Sequence, residues 1–285
     1  MKNTVDSKVL LMIQSYIRSM TKAEKIVAEY VMDHHKDVIY FSVTELAERA
    51  KVGETTVLRF CRKLNFKGFQ DFKLALAQDQ AQKDVNIYEN IIENDDLNTL
   101  IHKVTHSHVR IAEETRSLLE PDKLDRAINM IVHADNVHFF GVGSSGLAAL
   151  QASHSFIRMG KKSEAKQDAH FQAIDASLLS EKDVAVGFSV SGSTKDTNES
   201  LKIAKEAGAN IISITHNARS PITQISDVAL LMSAWENPLQ GSSLAAKMSQ
   251  LAVIDILCLG VFLRMKEKAI EYREKTARAV SEKLY

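Results

Sequence analysis

From residue 137 onward the chain alternates short apolar, β-like runs with stretches of helical period, and this pattern restricts the fold more than any other feature. The strand candidates are 137–142, 163–165, 184–190, Asn210–Thr215 and 228–232, each separated from the next by a segment of helix length. Strands joined by helical crossovers pair in parallel, so five of them imply a doubly wound sheet covered on both faces. Ligands of such sheets sit beyond the carboxyl ends of the strands. Two of the crossovers open there on small-residue loops, Gly141-Val142-Gly143-Ser144-Ser145-Gly146 and Ser189-Val190-Ser191-Gly192-Ser193-Thr194. A loop that leaves a strand and opens a helix presents unpaired N–H groups and the positive end of the helix dipole, to which Ser and Thr add hydroxyl donors. The matching guest is an anion, with phosphate the best fit.

Residues 1–78 carry a different pattern, helical throughout and without a strand signal. Thr21 followed by Glu24 reads as a capping box, and so does Ser42 followed by Glu45. The second box opens a short helix over 44–50 that breaks at Lys51-Val52-Gly53 and restarts at Glu54. Helix, Gly-containing turn and helix is the helix-turn-helix signature. Val57, Phe60, Cys61 and Leu64 form the buried stripe of the second helix, which leaves Thr55, Thr56, Arg59, Arg62 and Lys63 outward. In a DNA complex this helix enters the major groove, its outward side chains, Arg62 included, facing groove or phosphate, with Thr55, Thr56 and Arg59 nearest base edges and Lys63, Lys67 and Lys73 nearer phosphates.

Composition matters here because it hides this patch. The 285 residues hold 36 Lys+Arg and 36 Asp+Glu, a formal charge of zero, yet residues 49–73 contain seven basic against two acidic side chains, a local +5. An apolar fraction of 45% supports a large core, and the length suits two compact units. Residues 79–95, polar apart from Tyr88, Ile91 and Ile92, read as a linker, and 96–285 as the second domain with bracing helices at its start. Cys61 and Cys258 are far apart, and Met1-Lys2-Asn3 leads into no secretory segment. The apolar run 251–263 is short and broken by Asp255, so a soluble, cytoplasmic protein without a membrane span is expected.

The residues Thr44-Glu45-Leu46-Ala47 and Val57-Leu58-Arg59-Phe60-Cys61-Arg62-Lys63-Leu64, with Lys67-Gly68-Phe69 after them, resemble the N-terminal region of RpiR-type transcriptional regulators. The second domain resembles their sugar isomerase (SIS) domain, and the likeness extends over nearly the whole chain. It implies an all-helical helix-turn-helix domain followed by a doubly wound five-stranded parallel-sheet SIS domain. The resemblance further implies that Ser189, Ser191 and Thr194 grip the phosphate of a phosphosugar while Ser144 and Ser145 contact phosphate or sugar hydroxyls. Asp168-Ala169-His170 matches the family's Asp-x-His helix start, placing His170 near a ligand hydroxyl, and Lys247 stands where the family commonly carries arginine. The implied function is a regulator, a repressor in the commoner case, of sugar or amino-sugar catabolism, with operator DNA and a phosphorylated sugar as partners and no cofactor or metal.

Two other readings compete. Gly141-x-Gly143-x-x-Gly146 is also a dinucleotide fingerprint, with Glu164 or Asp168 as the ribose-binding acid. A phosphosugar isomerase or lyase with an accessory helical domain would need a base, for which His170, His154 and Glu236 are the candidates. Helix-turn-helix proteins usually read two half-sites one helical turn apart, so a homodimer or homotetramer is expected, with the apolar helix near 244–263 a candidate interface.

Overall fold

The computed structural model describes residues 8–81, 94–234, 244–281 and 283. They fall into two compact units, one comprising the described residues up to 107, the other 108–234 and the described residues from 244 onward. The Glu236 and Tyr88, Ile91 and Ile92 expectations lie outside the described residues.

The first unit is helical: α1 (Lys8–Tyr16), α2 (Lys22–Val38), α3 (Val43–Arg49), α4 (Glu54–Lys63) and α5 (Phe69–Ala81). At the start of α2 the Thr21 hydroxyl accepts from Glu24 N–H at 3.3 Å while the Glu24 carboxylate accepts from Thr21 N–H at 2.8 Å, the reciprocal box the spacing predicts. At α3 only half of the second box forms. Ser42 accepts from Glu45 N–H at 3.0 Å, but the Glu45 carboxylate turns to Arg49 one helical turn later. The turn between α3 and α4 places Lys51 at φ 54°, and Gly53 caps α4. Packing is built around Phe60, Phe72, Leu46 and Leu64, all fully buried, with Phe60 and Phe66 each edge-on to Phe72 at 5.5 Å. Asp79, beyond the 1–78 boundary, accepts from Val9 N–H at 2.6 Å and ties the end of α5 to α1.

Helix α6 (Leu97–Leu118) follows, with its first residues grouped in the first unit and its later ones, from His108, in the second. The second unit then runs α7 (Pro121–His133), β1 (Asn136–Phe140), α8 (Ser144–Ile157), β2 (Lys162–Ala165), α9 (Ala169–Ser177), β3 (Asp183–Phe188), α10 (Lys195–Glu206), β4 (Asn210–Thr215), α11 (Pro221–Ile225), β5 (Val228–Leu231), α12 (Leu244–Met265) and α13 (Glu267–Ser281). The five strands pair in parallel in the order β2-β1-β3-β4-β5, as the alternating pattern requires. Every residue of β3 is buried, because it lies mid-sheet beneath helices on both faces. One face carries Phe139, Val186, Ile212 and Leu230 against α7, α8 and α12; the other carries Phe140, Ala185 and Ile211 against α10.

Helix α12 corrects one expectation. Its apolar stretch extends over Ala246–Met265, 20 residues, long and apolar enough by composition to cross a membrane, where the sequence reading stopped at 13. Within this unit Ala246, Val253, Ile254, Leu257 and Val261 are buried in the sheet's core, which accounts for the composition. Its outward residues Leu259 and Leu263 are exposed.

Both cysteines are free and buried, and desolvation pushes each thiol from 9.0 up to about 12. Neither thiol should react with a disulfide reagent at pH 8 in the native protein within minutes, whereas two should react in guanidinium. The folded state holds these protons more tightly than the unfolded chain, so their contribution to stability is complete below about pH 9 and lost as pH rises toward 12. Urea midpoints should therefore fall between pH 8 and 10, and a flat profile with fast native thiol labelling would contradict the burial.

Candidate functional site

Strand β1 leads to β2 on one side of it while β3, its other neighbour, leads on to β4. The chain therefore parts in opposite directions between β1 and β3, and their carboxyl ends flank a crevice. Phe140 pairs with Gly187, so the loops opening α8 and α10 leave adjacent strands within two residues of each other. Both loops are those singled out by their small residues.

In the first loop two glycines are required by close approach. A Cβ on Gly141 would lie 2.8 Å from the Ser145 carbonyl oxygen, and one on Gly146 would lie 3.0 Å from that of Gly141. Gly143, at φ 60°, caps α8 without a side chain, which leaves the first-turn amides facing the crevice mouth. Ser144 is half-buried at that turn, and Ser145 is buried, its Oγ accepting from Gln250 Nε2 at 2.9 Å. That acceptance leaves the Ser145 hydroxyl proton available to a ligand.

The second loop is pinned from several sides. Gly192 sits at φ 66°, its N–H bonded to the Ser189 carbonyl and its own carbonyl accepting from Asn198 Nδ2 and Ile222 N–H. Asn217 Nδ2 donates to the Ser191 carbonyl at 3.1 Å, and the Ser191 hydroxyl oxygen accepts from Ser193 N–H at 3.2 Å. Ser189 and Thr194 hydroxyls meet at 2.9 Å. Thr194 is the N-cap of α10, yet this bond to Ser189 occupies its side chain, so α10 also begins without a side-chain cap. Two uncapped helix starts thus flank the crevice, and their dipoles favour a bound anion.

His170 lies exposed in the first turn of α9, which Asp168 caps by accepting from Phe171 N–H at 3.0 Å. That cap uses the acid a dinucleotide reading would reserve for a ribose, and the other candidate, Glu164, pairs with Lys166 at 2.6 Å. His154 is exposed near the end of α8, ten residues past Ser144 and so roughly 15 Å along the axis from the crevice. Lys247 is half-buried one turn before Gln250.

Sequence reasoning missed the amides that hold the loops. Gln172 is fully buried, donating Nε2 to the Gly141 and Lys166 carbonyls at 2.7 and 2.8 Å. Gln250 and Asn217 act in the same way. The available signal for Gln250 is the pair Ser249-Gln250, polar and side by side in a mainly apolar helix. A cavity of about 630 Å³ opens at the β2 edge, where His138 Nδ1 stands 2.8 Å from Asp175 Oδ2, but none of the six expected effector residues lines it.

In the first unit Thr55, Arg59 and Arg62 on α4 and Lys67 after it are exposed, and Thr56 is half-buried. Lys63 is placed otherwise: its ammonium donates to the Ser19 carbonyl and lies 3.3 Å from Glu24 Oε2. The Thr21 N–H, followed by Lys63, holds the Glu24 carboxyl below its ordinary range.

These features can be set beside known proteins. Residues 7–83 match the helix-turn-helix domain of the rpiR family and residues 130–260 match the SIS domain. An uncharacterized HTH-type transcriptional regulator of Haemophilus influenzae is 36% identical over 279 residues, covering 96% of each chain. The chain belongs to the RpiR family of transcriptional regulators. The HTH-type transcriptional regulator HexR of Pseudomonas aeruginosa is 32% identical, covering 93% of this chain and 90% of HexR. The Vibrio vulnificus NanR protein complexed with ManNAc-6P superposes with a TM-score of 0.88 at 27% identity, covering 97% of this chain and 99% of NanR. As an RpiR-family protein the chain is a helix-turn-helix transcriptional regulator and not an enzyme, and the isomerase reading is set aside.

Gly192→Ala should test the geometry of the second loop directly. The new Cβ would fall 2.1 Å from Ser220 Oγ at a positive φ, and Ser220 is fully buried. A loss of about 1–3 kcal/mol is expected by urea unfolding; an unchanged midpoint would mean that the loop adopts a different backbone.

Proposed function

We propose that this RpiR-family regulator is a repressor of sugar or amino-sugar catabolism whose operator binding is controlled by a phosphosugar held in the β1/β3 crevice. The supporting observation is the pair of uncapped helix starts, α8 and α10, at one topological switch point, each preceded by hydroxyl-bearing loops. In this reading Ser189, Ser191 and Thr194 bind the phosphate with the amides of α10, Ser144 and Ser145 bind phosphate or sugar hydroxyls, and His170 reaches a hydroxyl. The NanR complex with ManNAc-6P supplies the chemical class. Thr55, Thr56, Arg59, Arg62 and Lys67 meet the operator, and Lys63 joins them only by leaving Glu24. Residues 1–78 form the DNA-binding domain, 79–95 a linker and 96–285 the effector domain, in a cytoplasmic homodimer or homotetramer.

A thermal-shift series with ManNAc-6P, other sugar phosphates, the unphosphorylated sugars and NAD tests the pocket. A ligand at a hundredfold its Kd should raise stability by about 2.7 kcal/mol. Sugar phosphates should stabilise and free sugars should not, with the gain lost in Ser191→Ala; a shift with NAD alone would refute the reading.

The operator face has its own test. Arg59→Ala should weaken DNA binding by about 1–3 kcal/mol and leave sugar-phosphate binding intact. An unchanged affinity in gel-shift titrations would remove Arg59 from the recognition face.

A further inference from the structure

A closed ring of buried hydrogen bonds joins α6, α12 and the segment after β5. Ser233 N–H donates to Thr115 Oγ1 at 3.2 Å, the Thr115 hydroxyl donates to Ser249 Oγ at 3.1 Å, and the Ser249 hydroxyl donates to the Ser233 carbonyl at 2.5 Å. Thr115, Ser249 and Ser233 are 1%, 0% and 3% exposed. Each hydroxyl gives its one proton and accepts one, so the direction around the ring is fixed and its members polarise one another. The Ser233 hydroxyl adds a second tie to α6 by donating to Glu114 Oε2 at 2.6 Å.

The next residue of α12 faces elsewhere. Gln250, 1% exposed, donates to Ser145 Oγ in the first turn of α8. Two consecutive side chains of α12 therefore hold the crevice on one side and α6 on the other. Helix α6 is continuous from Leu97 to Leu118, and its residues before His108 group with the helix-turn-helix unit. An apolar seam between α6 and α12 would tolerate small slides, whereas this ring favours one register, since a shift of either helix breaks two of its three bonds together. Bonds of this kind are made or broken rather than graded, and a discrete change is what transmission between sites requires.

We propose that the Thr115–Ser249–Ser233 ring couples ligand occupancy at Ser145 to the position of α6, and through α6 to operator affinity. A ligand that takes the Ser145 hydroxyl proton changes the bond to Gln250, α12 adjusts, and the ring passes the adjustment to α6. Thr115 and Ser249 touch no ligand; they are positioning residues. The inference rests on the phosphosugar reading of the crevice.

Hydrogen exchange measured by mass spectrometry on the full chain, with and without ManNAc-6P, tests it. In the wild type, ligand should slow exchange severalfold in the 141–146 and 189–194 loops and should also change it in residues 97–107. In Thr115→Val and Ser249→Ala the loops should still respond, with a Kd within threefold of wild type, while the 97–107 response is lost. Thr115→Ser, which keeps the hydroxyl, should restore it. A 97–107 response retained in both variants at unchanged Kd would overturn the coupling, as would a wild type in which only the loops respond, whatever the fate of the variants. Absence of any loop response or binding in the wild type would instead overturn the ligand reading and the coupling with it.

Discussion

The pairing of β1 with β3 is the constraint on which the sheet unit depends. Because the chain after β1 turns to one side of the sheet and the chain after β3 to the other, no crossover helix covers the gap between their carboxyl ends. Two helices start at that gap, and a helix start carries amide donors that must find acceptors. In most helices a side chain at the N-cap supplies one, as Thr21 and Ser42 do in the helical unit. Here Gly143 has no side chain to offer and Thr194 spends its hydroxyl on Ser189. Forgoing a cap costs about 1 kcal/mol per helix, a cost that the anion proposed for this crevice would recover.

Donors aimed at a ligand serve only if the loops bearing them stay in place, and small residues pack too little to ensure that. Buried amides hold them instead: Gln172 on the Gly141 carbonyl, Asn217 on that of Ser191, Asn198 on that of Gly192, and Gln250 on Ser145. Gln172 satisfies the buried Gly141 carbonyl, which left unpaired would cost about 1–3 kcal/mol, while Asn198 adds a second bond to the Gly192 carbonyl that Ile222 N–H already serves. The amides come from α9, from the segment after β4, from α10 and from α12, so the crevice geometry is set by the whole sheet unit rather than by the loops themselves.

That division explains what could be read from the sequence. Strands appeared as apolar runs and the loops as glycine and serine clusters, because period and backbone conformation are local properties; β4 emerged with its ends as expected, and β1, β2, β3 and β5 within two residues. The five-stranded parallel order follows from alternation. The amides did not emerge, since Gln172 or Gln250 acquires its role only when distant elements pack. Nor did Thr115, whose partners lie 118 and 134 residues away. The Ser42-Glu45 spacing promised a reciprocal box, but Glu45 also has Arg49 one turn ahead, and the ion pair took the carboxylate.

The basic patch of the helical unit shows the same limit in its charges. Composition assigns seven cations to residues 49–73, but the fold spends several of them. Arg49 pairs with Glu45 and stacks on Phe41, Lys73 is buried with its ammonium on the Phe41 carbonyl at 2.7 Å, and Lys63 closes the start of α2 through Ser19 and Glu24. Lys51, Arg59, Arg62 and Lys67 remain at the surface. Salt dependence of DNA binding counts phosphates neutralised per protein. Cations fixed in the fold add nothing to that count unless they first give up their partners, so residues 49–73 offer DNA nearer four free cations than seven. On the proposed reading of the operator face, specific recognition then rests more heavily on the few side chains of α4 that reach outward, Arg59 among them.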